Sequence, residues 1–86
     1  MSYRIELIRI AVKQLTQLPP RIQIKIKNQI NKLQHDPRPD GVKKLSGEDG
    51  IYRIKVAKDY RVVYQIKDDQ LIVLIIKIGY RKDAYR

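Results

Sequence analysis

Arg53, Lys55, Arg61, Lys67, Lys77, Arg81 and Tyr85 are the side chains with most to offer a polyanion. The first five sit on the same alternate positions of successive strand-like runs, so each run presents its cations on one face and apolar side chains on the other. Arg81 and Tyr85 follow just past the last run, with Tyr80 and Lys82 beside them. Cations side by side repel one another unless an anion is expected between them, and this face has few carboxylates to serve. Such a surface, with tyrosines at its rim, suits phosphates and stacked bases, and RNA is the leading ligand. The plainer alternative is the solvated face of an antiparallel sheet, which commonly carries Lys and Arg.

The elements that must position these residues follow from periodicity. Strands are expected over 51–57, 60–67 and 71–78, with hairpin turns at Lys58-Asp59 and Asp68-Asp69-Gln70. The sets Tyr52, Ile54, Val56, then Tyr60, Val62, Tyr64, Ile66, then Ile72, Leu74, Ile76, Ile78 are expected to face the core. The last run is apolar on both faces, which places it in the sheet interior. Upstream, Tyr3, Ile5 and Leu7 alternate with Arg4 and Glu6 as a short first strand. Ala11, Leu15 and Leu18 form a helical stripe that Pro19-Pro20 ends. Ile22, Ile26, Ile30 and Leu33 predict a second helix over 21–34, with Ile24 on its margin. His35 to Gly41 is a turn-rich connector, continued by Lys43, Lys44, Leu45 and Ser46-Gly47. The sum is one α+β domain, 1–86, of order β-α-α-β-β-β: a largely antiparallel sheet with an α-hairpin on one face and a basic concave face opposite.

Composition narrows the function classes. Nineteen Lys and Arg against nine Asp and Glu give +10, a balance that favours nucleic acid, an anionic membrane or an acidic partner. Without Cys there is neither a disulfide framework nor a Cys-based zinc site. No carboxylate cluster or His pair near the basic face suits Mg²⁺ or Zn²⁺, so no metal or other cofactor is expected. The only histidine, His35, reads as a helix-end residue. The charged N-terminus does not read as a signal peptide, and the apolar run 71–76 is too short to span a bilayer. A soluble cytoplasmic protein is expected.

Three segments together resemble a known family: Tyr52-Arg53-Ile54-Lys55, Asp59-Tyr60-Arg61-Val62-Val63-Tyr64, and Ile78-Gly79-Tyr80-Arg81-Lys82-Asp83-Ala84-Tyr85. With Lys43-Lys44-Leu45-Ser46-Gly47 ahead of them, the chain resembles the RelE-type bacterial and archaeal toxins of the RelE/ParE superfamily. The resemblance implies a ribosome-dependent endoribonuclease that cuts messenger RNA in the ribosomal A site. It also implies a cognate antitoxin that joins the toxin in a hetero-oligomer and covers or distorts the basic groove. Carried over by motif, the family's site residues fall on Arg53, Lys55, Arg61, Arg81 and Tyr85; of these Lys55, Arg61, Arg81 and Tyr85 are expected to be catalytic and Arg53 to bind RNA, as are Lys77 from its place on the basic face and Tyr80 and Lys82 from their place beside Arg81. Two positions depart from the pattern: Arg53 where relatives often have Lys, and Tyr80 where several have His. The implied chemistry is metal-independent attack of a ribose 2′-hydroxyl on the adjacent phosphate. In it Arg61, assisted by Arg53, holds the phosphate, Arg81 serves the leaving oxygen, and Lys55 or Tyr85 takes the proton. A ParE-like inhibitor of DNA gyrase and a non-catalytic basic nucleic-acid-binding module are the alternatives.

Overall fold

The computed structural model describes residues 2–45 and 50–80. Its elements are β1 (Arg4–Leu7), α1 (Arg9–Thr16), α2 (Pro20–Leu33), β2 (Lys43–Lys44), β3 (Ile51–Val56), β4 (Tyr60–Lys67) and β5 (Ile72–Tyr80). The strands form a five-stranded sheet in the order β1-β5-β4-β3-β2. β1 lies parallel to β5, with Ile5 opposite Val73, and the other pairs are antiparallel. The last long strand is therefore interior, as its two apolar faces predict.

α1 ends at Thr16, short of the Leu18 that its stripe includes, and α2 spans Pro20–Leu33 against the expected 21–34. Pro20 opens α2 at its first position, where a missing N–H costs nothing. The Gln23 amide donates to the Leu18 and Thr16 carbonyls at 2.8 and 3.3 Å, satisfying acceptors that the end of α1 leaves open. Ala11 and Leu15 of α1 and Ile26, Ile30 and Leu33 of α2 pack on Ile54, Val56, Val62, Tyr64, Ile66, Val73, Ile75 and Ile78 of the sheet. Burying each of these Leu or Ile side chains is worth about 1.5–3 kcal/mol. Ile24, on the stripe's margin, is exposed. Among the described residues no helix is long and apolar enough to cross a membrane.

The structure corrects the face assignment of β5. Val73 and Ile75 enter the core under the helices in place of Ile72, Leu74 and Ile76, while Ile78 is placed as expected. The cause is a β-bulge: Tyr64 pairs with Ile75 and Val63 with Lys77, so Ile76 is an extra residue. One extra residue inverts the parity of everything before it. Beyond the bulge the Ile78 N–H donates to Gln14 Oε1 at 2.8 Å. Further differences are local: β5 starts at Ile72, after Leu71 at φ 54°, and runs on to Tyr80 rather than spanning 71–78. Lys43 and Lys44, expected in the connector, pair with Arg53 and Tyr52 as β2. The first hairpin turn starts at Ala57, because Ala57 and Lys58 take positive φ values of 51° and 69° and end β3 at Val56.

Gly50 opens β3 at φ +73°, and an added Cβ would meet the Ile66 carbonyl oxygen at 2.9 Å. Its own carbonyl accepts from the Ile66 N–H at 2.8 Å. Gly50→Ala is expected to lower stability by about 1–3 kcal/mol, read as an earlier urea midpoint at unchanged slope.

Candidate active site

Across the sheet, in-register partners form two rows on the face away from the helices. Arg53, Val63 and Lys77 make one, and Lys55, Arg61 and Gly79 the other. Beyond β2, which pairs only with Tyr52 and Arg53, the outer edge of β3 opens into a cleft of about 580 Å³. Its lining is Gln29 from α2, Asp40 and Gly41 from the connector, Lys43, Arg53, Ile54 and Lys55 from β2 and β3, and Arg61 from β4. The cleft thus gathers Arg53, Lys55 and Arg61, three of the residues singled out from sequence. Lys77 lies two strands away, in the row of Arg53. Tyr80 stands in a neighbouring cleft of about 300 Å³ with Gln14, Gln17 and Leu18, edge-on to Tyr60 at 5.5 Å. Arg81, Lys82 and Tyr85 lie outside the described residues.

Arg61 departs from the exposed position that alternation predicts. It is only 7% exposed. Its Nη1 donates to the Lys58 and Tyr60 carbonyls, both at 3.2 Å, so the left-handed turn of the hairpin wraps the guanidinium. The buried Nε has no hydrogen-bond partner, and no carboxylate pairs with the group among the described residues. A buried unpaired charge is costly unless something else offsets it. A planar fork, fixed on one side and unsatisfied on the other, is suited to an incoming anion such as a phosphate. Among the described residues no cluster of His, Cys, Asp and Glu has a metal site's make-up.

Comparison with known proteins bears on this geometry. The family model described as ParE toxin of type II toxin–antitoxin system, parDE, matches residues 5–85. The chain belongs to this toxin family. Within it the chain is of the RelE type. A Methanocaldococcus jannaschii protein named putative toxin RelE1 is 35% identical over 89 residues, covering 100% of this chain and 98% of the relative. The mRNA interferase toxin RelE of Escherichia coli K12 is 29% identical, over 95% of this chain and 86% of its own. The crystal structure of the intact E. coli RelBE toxin–antitoxin complex superposes with a TM-score of 0.82 at 28% identity, covering 92% and 96% of the two chains.

In this toxin the wall of the cleft facing the cations comes from the connector, and a set of contacts invisible to periodicity fixes it. Arg38 donates from Nη2 to Asp68 Oδ2 at 2.8 Å and from Nε to the Tyr52 hydroxyl at 3.1 Å, with its guanidinium carbon 5.3 Å from that ring's centroid. Tyr3 donates to Asp68 Oδ1 at 2.6 Å. The fully buried Tyr64 donates its hydroxyl to the Pro37 carbonyl at 2.7 Å. The core placement expected of Tyr64 holds, while Tyr52 and Tyr60 are half-buried against the same core. Burial pushes the Tyr64 phenol well above its usual range.

Arg38, and then Tyr3, hold the Asp68 carboxyl below its ordinary range. A lowered folded-state value means that the Asp68 contacts add stability above the ordinary carboxyl range, and that this is lost as pH falls through the lowered value. Asp68→Asn is therefore expected to destabilise the toxin at neutral pH, with the difference from wild type vanishing in acid. Urea melts across that range check it. Asp40 and Gly41 were not distinguished by sequence, because their place in the cleft depends on this folding of the connector, and Gln29 comes to the lining from α2.

Proposed function

We propose that this toxin is a ribosome-dependent endoribonuclease that cleaves messenger RNA in the ribosomal A site and is held inactive by a cognate antitoxin. The observation that carries the reading is Arg61, buried and unsatisfied at Nε in a cleft shared with Lys43, Arg53 and Lys55. The RelE relative named an mRNA interferase and the RelBE complex support it.

Cleavage needs no metal ion in this account, because guanidinium and ammonium groups supply the charge that the transition state requires. The ribose 2′-oxygen attacks the adjacent phosphorus, forming the 2′-O–P bond, and the P–O5′ bond breaks. Arg61, with Arg53, holds the phosphate and neutralises the charge that grows on its oxygens. Lys55, in its neutral form, takes the 2′-hydroxyl proton; its support is its position directly across from Arg61 in the sheet. Arg81 stabilises the departing 5′-oxygen, which leaves as an alkoxide and takes a proton from solvent water to become a hydroxyl, while Lys55 returns the 2′-proton to solvent. The other product is a 2′,3′-cyclic phosphate. Lys77, Tyr80 and Lys82 contact the RNA on either side, and Tyr85 stacks on a base. Tyr85→Phe is accordingly expected to keep cleavage within about threefold, and Tyr85→Ala to lose tenfold or more, since base–aromatic stacking is worth about 1–3 kcal/mol.

The antitoxin partner follows from the same charge. An acidic or amphipathic segment laid along the cleft would gain both apolar burial and neutralisation of its cations. Primer extension on messages translated in a cell-free extract tests the function: cuts inside codons, absent from the same message without ribosomes, are expected. The family model's ParE description favours a second reading, inhibition of DNA gyrase. Intact message together with loss of gyrase supercoiling would establish that one instead.

A further inference from the structure

Backbone strain is concentrated where the chain passes from β3 to β4. Ala57 and Lys58 both take positive φ, 51° and 69°, and neither is glycine. Side chains rarely tolerate such values, and two in succession persist only where the surroundings over-determine them. The Asp59 N–H donates to the Ala57 carbonyl at 2.7 Å. Lys58 is thus the centre of a γ-turn of the positive-φ kind, the rarer and more strained of the two. A glycine would ease such a hairpin, yet none lies between Val56 and Tyr60.

The turn provides a pair of acceptors. The Lys58 and Tyr60 carbonyls accept from Arg61 Nη1, both at 3.2 Å. Those two bonds use both protons of Nη1 and leave the edge formed by Nε–H and Nη2. That edge is a parallel fork which two phosphate oxygens match, and its Nε is buried without a partner. The turn is the fixed member of this contact and the guanidinium the positioned one. It closes through its own bond from Asp59 to Ala57, beside the paired Val56 and Tyr60. The Lys58 side chain is exposed and stands outside the lining of the cleft, so the residue reaches Arg61 through its backbone alone.

Resting on the endoribonuclease reading, we propose that the strained turn at Ala57 and Lys58 is a positioning device for Arg61. Its carbonyls clamp Nη1 and aim the Nε–Nη2 edge at the phosphate. Lys58 acts as a positioning residue through its carbonyl, and its ammonium takes no part. A guanidinium held in this way need not reorganise as charge grows on the phosphate, which is what a preorganised donor contributes. A loose arginine at the same place would still attract RNA but lose alignment, and a misplacement of about 1 Å can cost about 10²-fold.

The test varies the charge and the φ preference of position 58 separately. Lys58→Gln removes the ammonium, Lys58→Gly accepts positive φ freely, and the β-branched Lys58→Val resists it. Single-turnover cleavage on programmed ribosomes is measured at a temperature where urea melts show each variant folded. Lys58→Gln and Lys58→Gly are expected within about threefold of wild type, since neither displaces the carbonyl. Lys58→Val should lose about tenfold or more in maximal rate, with the half-saturating ribosome concentration kept within about twofold. A tenfold loss in Lys58→Gln, or an intact rate in Lys58→Val, would overturn the proposal. A second measurement does without cleavage: titration of the full chain with inorganic phosphate, followed at the Arg61 Nε–H signal, which is identified by its absence from Arg61→Met. Wild type, Lys58→Gln and Lys58→Gly should shift with equal affinity, and Lys58→Val about tenfold more weakly, as loss of a bidentate fork implies. That pattern would sustain the proposal even if no message were cut, in which case the endoribonuclease reading alone would fall. No shift in wild type, a shift lost in Lys58→Gln, or an equal one in Lys58→Val would sink it even if cleavage were robust.

Discussion

Arg61→Met is expected to abolish cleavage while leaving the toxin at least as stable as wild type. The residue is 7% exposed, carries its charge without a carboxylate partner among the described residues, and leaves Nε unsatisfied. Replacing a poorly compensated buried charge by an apolar side chain of similar reach is commonly neutral or stabilising, here by about 1 kcal/mol. The loss in turnover should reach about 10²–10³-fold, the scale of removing one oriented donor from a developing oxyanion. Arg61→Lys keeps the charge but not the fork, and should lose most of the same activity. Single-turnover cleavage on programmed ribosomes and urea melts check the two halves. A fall in stability of several kcal/mol would show instead that the bonds from Nη1 to the Lys58 and Tyr60 carbonyls are the residue's purpose.

Lys55 carries the second large effect. As proton acceptor it should cost about 10²–10⁴-fold when lost, the usual range for general-base catalysis. Lys55→Arg separates that role from plain phosphate binding. Arginine stays protonated and cannot accept the proton, so ribosome and RNA affinity should persist while cleavage collapses. Lys55→Gln, which cannot take the proton either, should lose cleavage to a similar extent. Near-wild-type cleavage by Lys55→Arg would move proton transfer to Tyr85 and leave Lys55 as a clamp.

What could be read from sequence depended on contrast between the faces of each element. In β3 the apolar set Tyr52, Ile54 and Val56 stands against Arg53 and Lys55, so parity was legible and the cations of the cleft could be named. β5 offers apolar residues on both faces, and the bulge at Ile76 then inverted an alternation that nothing in the chain marks. The burial of Arg61 was hidden for another reason. It arises from the positive-φ turn at Ala57 and Lys58, which closes backbone carbonyls around the side chain, and neither residue type announces such a turn. Asp40 enters the cleft on a connector held by the Arg38, Tyr52 and Asp68 contacts. Those link positions 14 and 30 apart in sequence and leave no periodic trace. The family resemblance reached further than periodicity because it rests on ordered motifs spread over the whole chain, and the ParE toxin family match over 5–85 shows the family.

The central claim is that the Arg61 cleft performs metal-independent transesterification on the ribosome. Its most direct test supplies purified toxin to ribosomes carrying a defined codon in the A site, and identifies the ends of the products for wild type and Arg61→Met. A single cut within that codon, leaving a 2′,3′-cyclic phosphate and a 5′-hydroxyl and absent from the variant, is the predicted result. A 5′-phosphate on the downstream fragment, or equal cutting by Arg61→Met, would contradict it.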